Sequence, residues 1–356
     1  MSLLVFSLFF SIFCAVLTLM NFAVLKGLLL AFGGQLSLLP LVSLSIVLSL
    51  LFLGATIIAR YYSGSAVTLF YMIISYWVGF ALMCGFVFLF LLLPAAIWPG
   101  AKNLVFITGT CLALIASVYA TVHALERKIK ETIIPFRENL TLVQVSDVHY
   151  GVVNASKYLA ELAQEINGLN PDAVFFTGDI VDGTTHLEKG SLLPLKQLKA
   201  PAYFVSGNHD FIDGLEEVYQ AVEEAGITVL DNKTVEIKGS QIGGLSFTFK
   251  KVNLKEGLTA LNFKNDRPKI LLYHEPRGVK EIESAGVDLL LCGHTHGGQI
   301  IPFNILVRVL YPYMAGLYKI GNMQLFVSTG CGTWGPKMRL GTDSEINLLK
   351  LRKTEK

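Results

Sequence analysis

Residues 1–125 contain no Asp and no Glu, and their only Lys or Arg residues are Lys26, Arg60 and Lys102. The whole chain is 16% charged and 53% hydrophobic, against roughly 25% charged for an ordinary soluble domain. Of its 29 basic residues three lie in that stretch, which leaves 26 basic and 27 acidic residues from Glu126 onward. The shortage of charge therefore belongs to one half, and a wholly soluble protein is excluded. A net charge of +2 offers no electrostatic footprint for nucleic acid, and no nucleic-acid partner is expected. Cysteine is scarce too. Cys14, Cys84 and Cys111 fall in the apolar half and only Cys292 and Cys331 beyond it, which excludes a disulfide framework.

A helix needs about 20 apolar residues to cross the roughly 30 Å hydrocarbon layer. Four uncharged runs meet that length, at 3–25, 38–59, 67–93 and 104–125, with ends expected at Lys26, Arg60, Pro94 and the charged run from Glu126. The first has no basic n-region and no convincing small-residue cleavage site, so it reads as a retained helix. With four spans, Arg60, Arg127, Lys128 and Lys130 fall on one side and Lys26 and Lys102 on the other. The chain thus reads as an integral, multi-pass membrane protein, and the positive-inside rule favours a cytoplasmic C-terminal domain. Ion and proton pathways use intramembrane acids. Their absence favours an anchor among membrane lipids over a transporter.

Residues 126–139 mix charges with isolated isoleucines and read as a juxtamembrane connector; 140–356 reads as one α/β layered domain. Short apolar runs at 140–146, 173–177, 202–205, 269–273 and 287–291 have the look of buried strands, and helices are expected near 155–167, 187–198 and 214–225. Further strands are expected at 227–230, 235–237, 241–247, 325–328 and 346–351. Polar motifs sit at the carboxyl ends of the strands, where layered α/β folds place their sites.

Those motifs are Asp147-Val-His149, Gly178-Asp179-Ile-Val-Asp182, Gly207-Asn208-His209-Asp210, His274-Glu-Pro276 and Gly293-His294-Thr-His296-Gly-Gly-Gln299. Five of the seven histidines thus follow strands directly, each near Asp, Asn or another His. Carboxylate, imidazole and amide donors without thiolate suit divalent Mn, Fe, Zn or Mg. Asp147 and His149 stand one residue apart, able to face one ion; Asp179 has two oxygens with which to bridge two ions; His294 and His296 can give one imidazole to each.

The order of these five motifs resembles the calcineurin-like metallophosphoesterases over nearly all of residues 140–352. Residues 328–335, with Arg339-Leu340 and Glu345-Ile346, resemble the bacterial membrane-associated branch, although Ser344 stands where that branch commonly has Pro. The resemblance implies β-sheets flanked by helices with a dinuclear metal site at the strand ends. It implies that Asp147, His149, Asp179 and His296 bind one metal and Asp179, Asn208, His274 and His294 the other. It also implies that a metal-bridging water is deprotonated and attacks phosphorus in line. His209 would stabilise the transition state or protonate the leaving oxygen, with Asp210 orienting it. The substrate class implied is a phosphorylated small molecule or a lipid-linked phosphoester or pyrophosphate. A membrane sensor or scaffold that binds phosphate without turnover is the alternative, and the intact Asn208-His209-Asp210 argues against it. Residues 300–318 are unusually apolar and aromatic; they are expected either to cap the site and touch bilayer or lipid tail, or to pack on the domain's own core.

Overall fold

The structure, a computed structural model, describes residues 3–184, 187–249 and 254–353. They form two compact units, Met1–His123 with Gly335–Leu340, and Ala124–Trp334 with Gly341–Lys356.

The first unit holds α1 (Leu3–Ala31), α2 (Leu38–Tyr61), α3 (Ser65–Ile97) and α4 (Lys102–His123). All four are long and apolar enough to cross a membrane, which marks the chain as membrane-associated. Two expected ends shift. Lys26 lies inside α1, which runs on to Ala31 shortly before Gly33 in the left-handed region (φ 69°), and Pro94 lies inside the last turn of α3. A single Lys is a good helix former, and a Pro near a helix end removes only one backbone bond. Small residues let the helices approach: a Cβ on Gly27 would come within 2.0 Å of the Phe88 ring. Buried polar groups bond between helices, Asn21 Nδ2 to Ser49 Oγ at 3.0 Å and Trp77 Nε1 to Asn21 Oδ1 at 2.9 Å, as lipid-embedded bundles require.

The second unit begins with β1 (Arg127–Phe136), β2 (Leu140–Val145), α5 (Ser156–Gly168), β3 (Ala173–Thr177), β4 (Ala202–Val205), α6 (Asn208–Asp213), α7 (Leu215–Glu224), β5 (Thr228–Val229), β6 (Thr234–Ile237) and β7 (Ser240–Gly244). It continues with α8 (Leu254–Ala260), β8 (Lys269–Leu272), α9 (Val279–Ser284), β9 (Leu289–Cys292), α10 (Phe303–Leu310), β10 (Gly316–Ile320), β11 (Met323–Val327) and β12 (Ser344–Lys353). Two six-stranded sheets result, ordered β1-β12-β2-β3-β4-β5 and β10-β11-β9-β8-β7-β6.

Alternation along the central strands explains the layering. In β3, Ala173 and Phe175 enter the cluster shared with Ile270, Leu272, Leu289 and Leu291 of the other sheet, while Val174 and Phe176 pack with Leu159, Leu162 and Ile166 of α5. In β9, Leu290 and Cys292 turn outward onto Val279 and Ile282 of α9. Both faces of each sheet are thus covered, which is why these strands read as unbroken apolar runs. Each such side chain contributes about 1.5–3 kcal/mol on burial.

Residues 126–139 differ most from expectation, because most of the connector is the ten-residue strand β1, parallel to β12. Lys128 and Lys130 pair with Asp343 and Glu345 while Ile129 and Ile133 are exposed, so the apolar-in pattern is inverted in the first half of the strand and returns only at Ile134 and Phe136, which are buried. The helix expected at 187–198 shrinks to a 3-10 turn, Leu193–Gln197. Gly190, at φ 82°, and Pro194 interrupt it.

Candidate metal centre

The loops that follow β2, β3, β4, β8 and β9 bring all seven expected ligand residues together. One oxygen or ring nitrogen from each of Asp147, His149 and His296 falls in a set whose members lie within 4.8 Å of one another, and Asp179, His274 and His294 form a second such set. Asn208 joins the second, its Oδ1 being 2.8 Å from His294 Nδ1 and 3.2 Å from His274 Nε2. Asp179 Oδ2 is 3.1 Å from His274 Nε2. His149 and His296 meet through their Nε2 atoms at 3.0 Å.

The backbone is strained where it carries these groups. Among the described residues ten non-glycine positions have positive φ, and five of them are Asp147, His149, Asp179, His294 and His296, at 49–72°. Asp and His tolerate this region better than β-branched residues do, yet each position costs about 1–3 kcal/mol. Glycine provides the room: a Cβ on Gly293 would lie 1.7 Å from Ser146 Oγ, and one on Gly207 2.2 Å from Asp179 Oδ1.

Hydrogen bonds behind the ligands decide where each imidazole keeps its lone pair. His274 Nδ1 donates to the Thr177 carbonyl at 2.8 Å, leaving Nε2 to face the centre. Asp182 Oδ1 lies 3.1 Å from His149 Nδ1, again turning Nε2 inward. For His294 the argument runs through a phenol with a single proton. Tyr311 Oη donates to Glu275 Oε1 at 3.0 Å and accepts from Arg277 at 2.7 Å. Its remaining lone pair accepts from His294 Nε2 at 2.7 Å, so His294 carries its lone pair on Nδ1, beside Asn208 and His274. Three of the four imidazoles are therefore set as inward-facing donors.

The electrostatics demand positive charge here. Burial pulls His274 down, but Asp179 and Asp147 outweigh it and raise its pKa to about 10. Burial, and then the His274 charge, push His294 down to about 3, so it stays neutral. Burial opposes the ionised Asp179, yet the charges of His274 and His209 hold its carboxyl well below the usual range. Buried carboxylates that hold a proton on His274 in the absence of a metal, beside His294 kept neutral with its lone pair inward, fit a divalent cation that takes that proton's place.

His209 and Asp210 take different places from those expected. His209 Nδ1 donates to the carbonyl of Asp182 at 2.8 Å, and its ring meets that of His149 edge-on with centroids 4.8 Å apart. Asp210 is buried and bonds backbone amides instead of the His209 ring, accepting from Asp179 at 2.8 Å, Gly207 at 2.7 Å, Ile180 at 3.0 Å and Val181 at 3.1 Å. The orienting group expected in Asp210 is thus the Asp182 carbonyl, while Asp210 ties the loop of Asp179 to that of Asn208. The roles of Tyr311 and Glu275 were missed; adjacency to His274 was the only sequence signal for Glu275, and Tyr311 lies 36 residues further on.

A family model described as calcineurin-like phosphoesterase matches residues 140–298. An uncharacterized metallophosphoesterase of Helicobacter pylori is 36% identical over 235 residues, covering 63% of this chain and 64% of that protein. An uncharacterized metallophosphoesterase of Bacillus subtilis is 32% identical over 247 residues, covering 65% of this chain and 86% of that one. A transmembrane protein with metallophosphoesterase domain from Danio rerio is 29% identical, with 68% and 62% covered. The chain spans less than two thirds of the length of the Helicobacter and Danio relatives.

Proposed function

The chain belongs to the calcineurin-like phosphoesterase family, and from that premise we propose that it is a membrane-anchored, metal-dependent phosphohydrolase that cleaves a phosphoester or pyrophosphate. The observation that carries this reading is the convergence of two carboxylates, four imidazoles and one amide oxygen at strand ends, two of the imidazoles turned inward by hydrogen bonds and a third by the Asp182 carboxylate beside its Nδ1. Asp147, His149, Asp179 and His296 would hold one divalent ion and Asp179, Asn208, His274 and His294 a second, of the Mn, Fe, Zn or Mg class. Such ions, when bound, neutralise phosphate oxygens and acidify a water for attack on phosphorus.

The chain's own residues do the rest. Because the Asp182 carbonyl can only accept, His209 keeps a proton on Nδ1, and the proton given to the leaving oxygen comes from Nε2. Asp210 holds Asp179 and Asn208 in register through four backbone bonds. The four helices of the first unit serve as a multi-pass anchor, and the balance of flanking basic residues favours a cytoplasmic catalytic domain.

In detergent, the chain loaded with Mn should hydrolyse an aryl phosphoester. Asp179→Asn and His209→Ala are each expected to lower turnover by about 10²-fold or more with an unchanged circular dichroism spectrum. Full activity in both variants would refute the mechanism.

A further inference from the structure

Along α10 the apolar segment does not pack on the domain's own core. That helix has no buried residue. Ile305, Leu306, Val309 and Leu310 are 66%, 54%, 76% and 63% exposed, at spacings that set them on one helical face. Leaving such side chains in water forgoes the burial energy that holds the rest of the unit together. The surrounding sequence has one sign of charge: residues 289–342 contain no Asp or Glu, while Arg308 on the helix and Lys319 further along the chain are exposed. An exposed aliphatic face on a helix that carries an exposed Arg and no acid is the composition of a helix lying at the interface of an anionic bilayer. A bilayer is at hand, because the same chain carries four membrane-length helices.

The helix is also joined to the chemistry. Its next residue is Tyr311, whose hydroxyl accepts from His294 Nε2. The bare face therefore starts within one residue of the hydrogen bond that orients a ligand of the candidate metal centre.

We propose that α10 lies in the headgroup–acyl boundary of a membrane containing anionic lipid, and that the phosphoester reaching the centre is carried by an amphiphile whose tails lie beside Ile305, Leu306, Val309 and Leu310. The substrate half of this proposal rests on the phosphohydrolase reading; the seating of α10 does not.

The test has two arms on the full chain, reconstituted in vesicles of equal parts phosphatidylcholine and phosphatidylglycerol. In the first, Val309→Trp adds an emitter to the helix, and lipids brominated on their acyl chains should quench the added emission. Unquenched emission with the red-shifted maximum of a hydrated indole overturns the seating, as does quenching already removed by a soluble protein partner bound to this face. In the second arm, two p-nitrophenyl phosphodiesters are compared that differ only in carrying a hexadecyl or an ethyl group. The unaltered chain should favour the hexadecyl ester by about ten-fold or more in kcat/KM. The combined change Leu306→Ser, Val309→Ser and Leu310→Ser should abolish that preference and leave the ethyl ester untouched. No preference in the unaltered chain, or equal losses on both esters, overturns the substrate assignment. No turnover of either ester by the unaltered chain overturns the phosphohydrolase reading instead, and the quenching arm still decides where α10 lies.

Discussion

Replacing Asp210 by Asn changes one atom's hydrogen-bonding character and little of the side chain's shape, so its effect can be worked from four distances. One carboxylate oxygen accepts from the amides of Asp179 and Gly207 at 2.8 and 2.7 Å, and the other from those of Ile180 and Val181 at 3.0 and 3.1 Å. An amide has a single acceptor oxygen. Whichever way it is turned, its NH2 faces two backbone donors, and two buried N–H groups lose their partner at about 1–3 kcal/mol each. Part of that is offset, because burial and then the charge of Asp179 already push the Asp210 carboxyl up to about 7, and the neutral amide removes this burden. A net loss of about 2 kcal/mol is expected, which for a domain of roughly this size lowers Tm by about 4–8 °C. The loops of Asp179 and Asn208 should loosen together, weakening metal binding by about 10–100-fold, read by thermal melting and by metal titration with elemental analysis. Because Asp210 bonds amides and His209 is oriented by Asp182, the pH profile of the remaining turnover should keep its shape. An unchanged Tm together with unchanged metal affinity would refute the clamp, and a displaced pH profile would restore the role of orienting His209.

Tyr311→Phe removes the acceptor for His294 Nε2 and frees that ring to change tautomer; the second metal should bind about 10–100-fold more weakly, with turnover recovered at high metal concentration, and equal affinities in calorimetry would count against the network. Metal binding should also release protons. His274 Nε2 faces the centre with its pKa raised to about 10, so from pH 6 to 8 the ion must displace a proton, and affinity should rise about ten-fold for each pH unit gained; affinity that is flat over this range in calorimetry with buffers of different ionisation enthalpy would disprove the coupling.

What could be read in advance divides along a physical line. Residues whose chemistry is stated by a local pattern were legible: Asp147-x-His149 and His294-x-His296 stand at the ends of strands buried on both faces, and both the apolar run and the polar stop are visible without a structure. The strand β1 was not, because its inward positions begin with Lys128 and Lys130, whose partners Asp343 and Glu345 lie more than two hundred residues away. The same holds for the groups that fix tautomers. Asp182 acts on one histidine through its carboxylate and on another through its carbonyl, and a backbone carbonyl leaves no mark on a sequence. Tyr311 sits in an apolar stretch that suggests packing or lipid, and only the fold shows its hydroxyl against His294.

The position of these residues also explains why the site needs so large a frame. Five ligand-bearing residues with positive φ, at about 1–3 kcal/mol each, together approach the whole net stability of a domain, roughly 5–15 kcal/mol. Loops alone cannot sustain that, since a free loop would relax to negative φ and take its side chain with it. Here each strained residue follows a strand whose side chains are buried on both faces, Val145 before Asp147, Thr177 before Asp179 and Cys292 before His294, and the loops are stitched to one another by Asp210, by the Thr177 carbonyl and by the amide of His294 bonded to Asp147. The two covered sheets thus do more than enclose a core. They hold two carboxylates and four imidazoles at separations that desolvation and backbone preferences both oppose, and the divalent cation proposed for this centre would make that arrangement favourable.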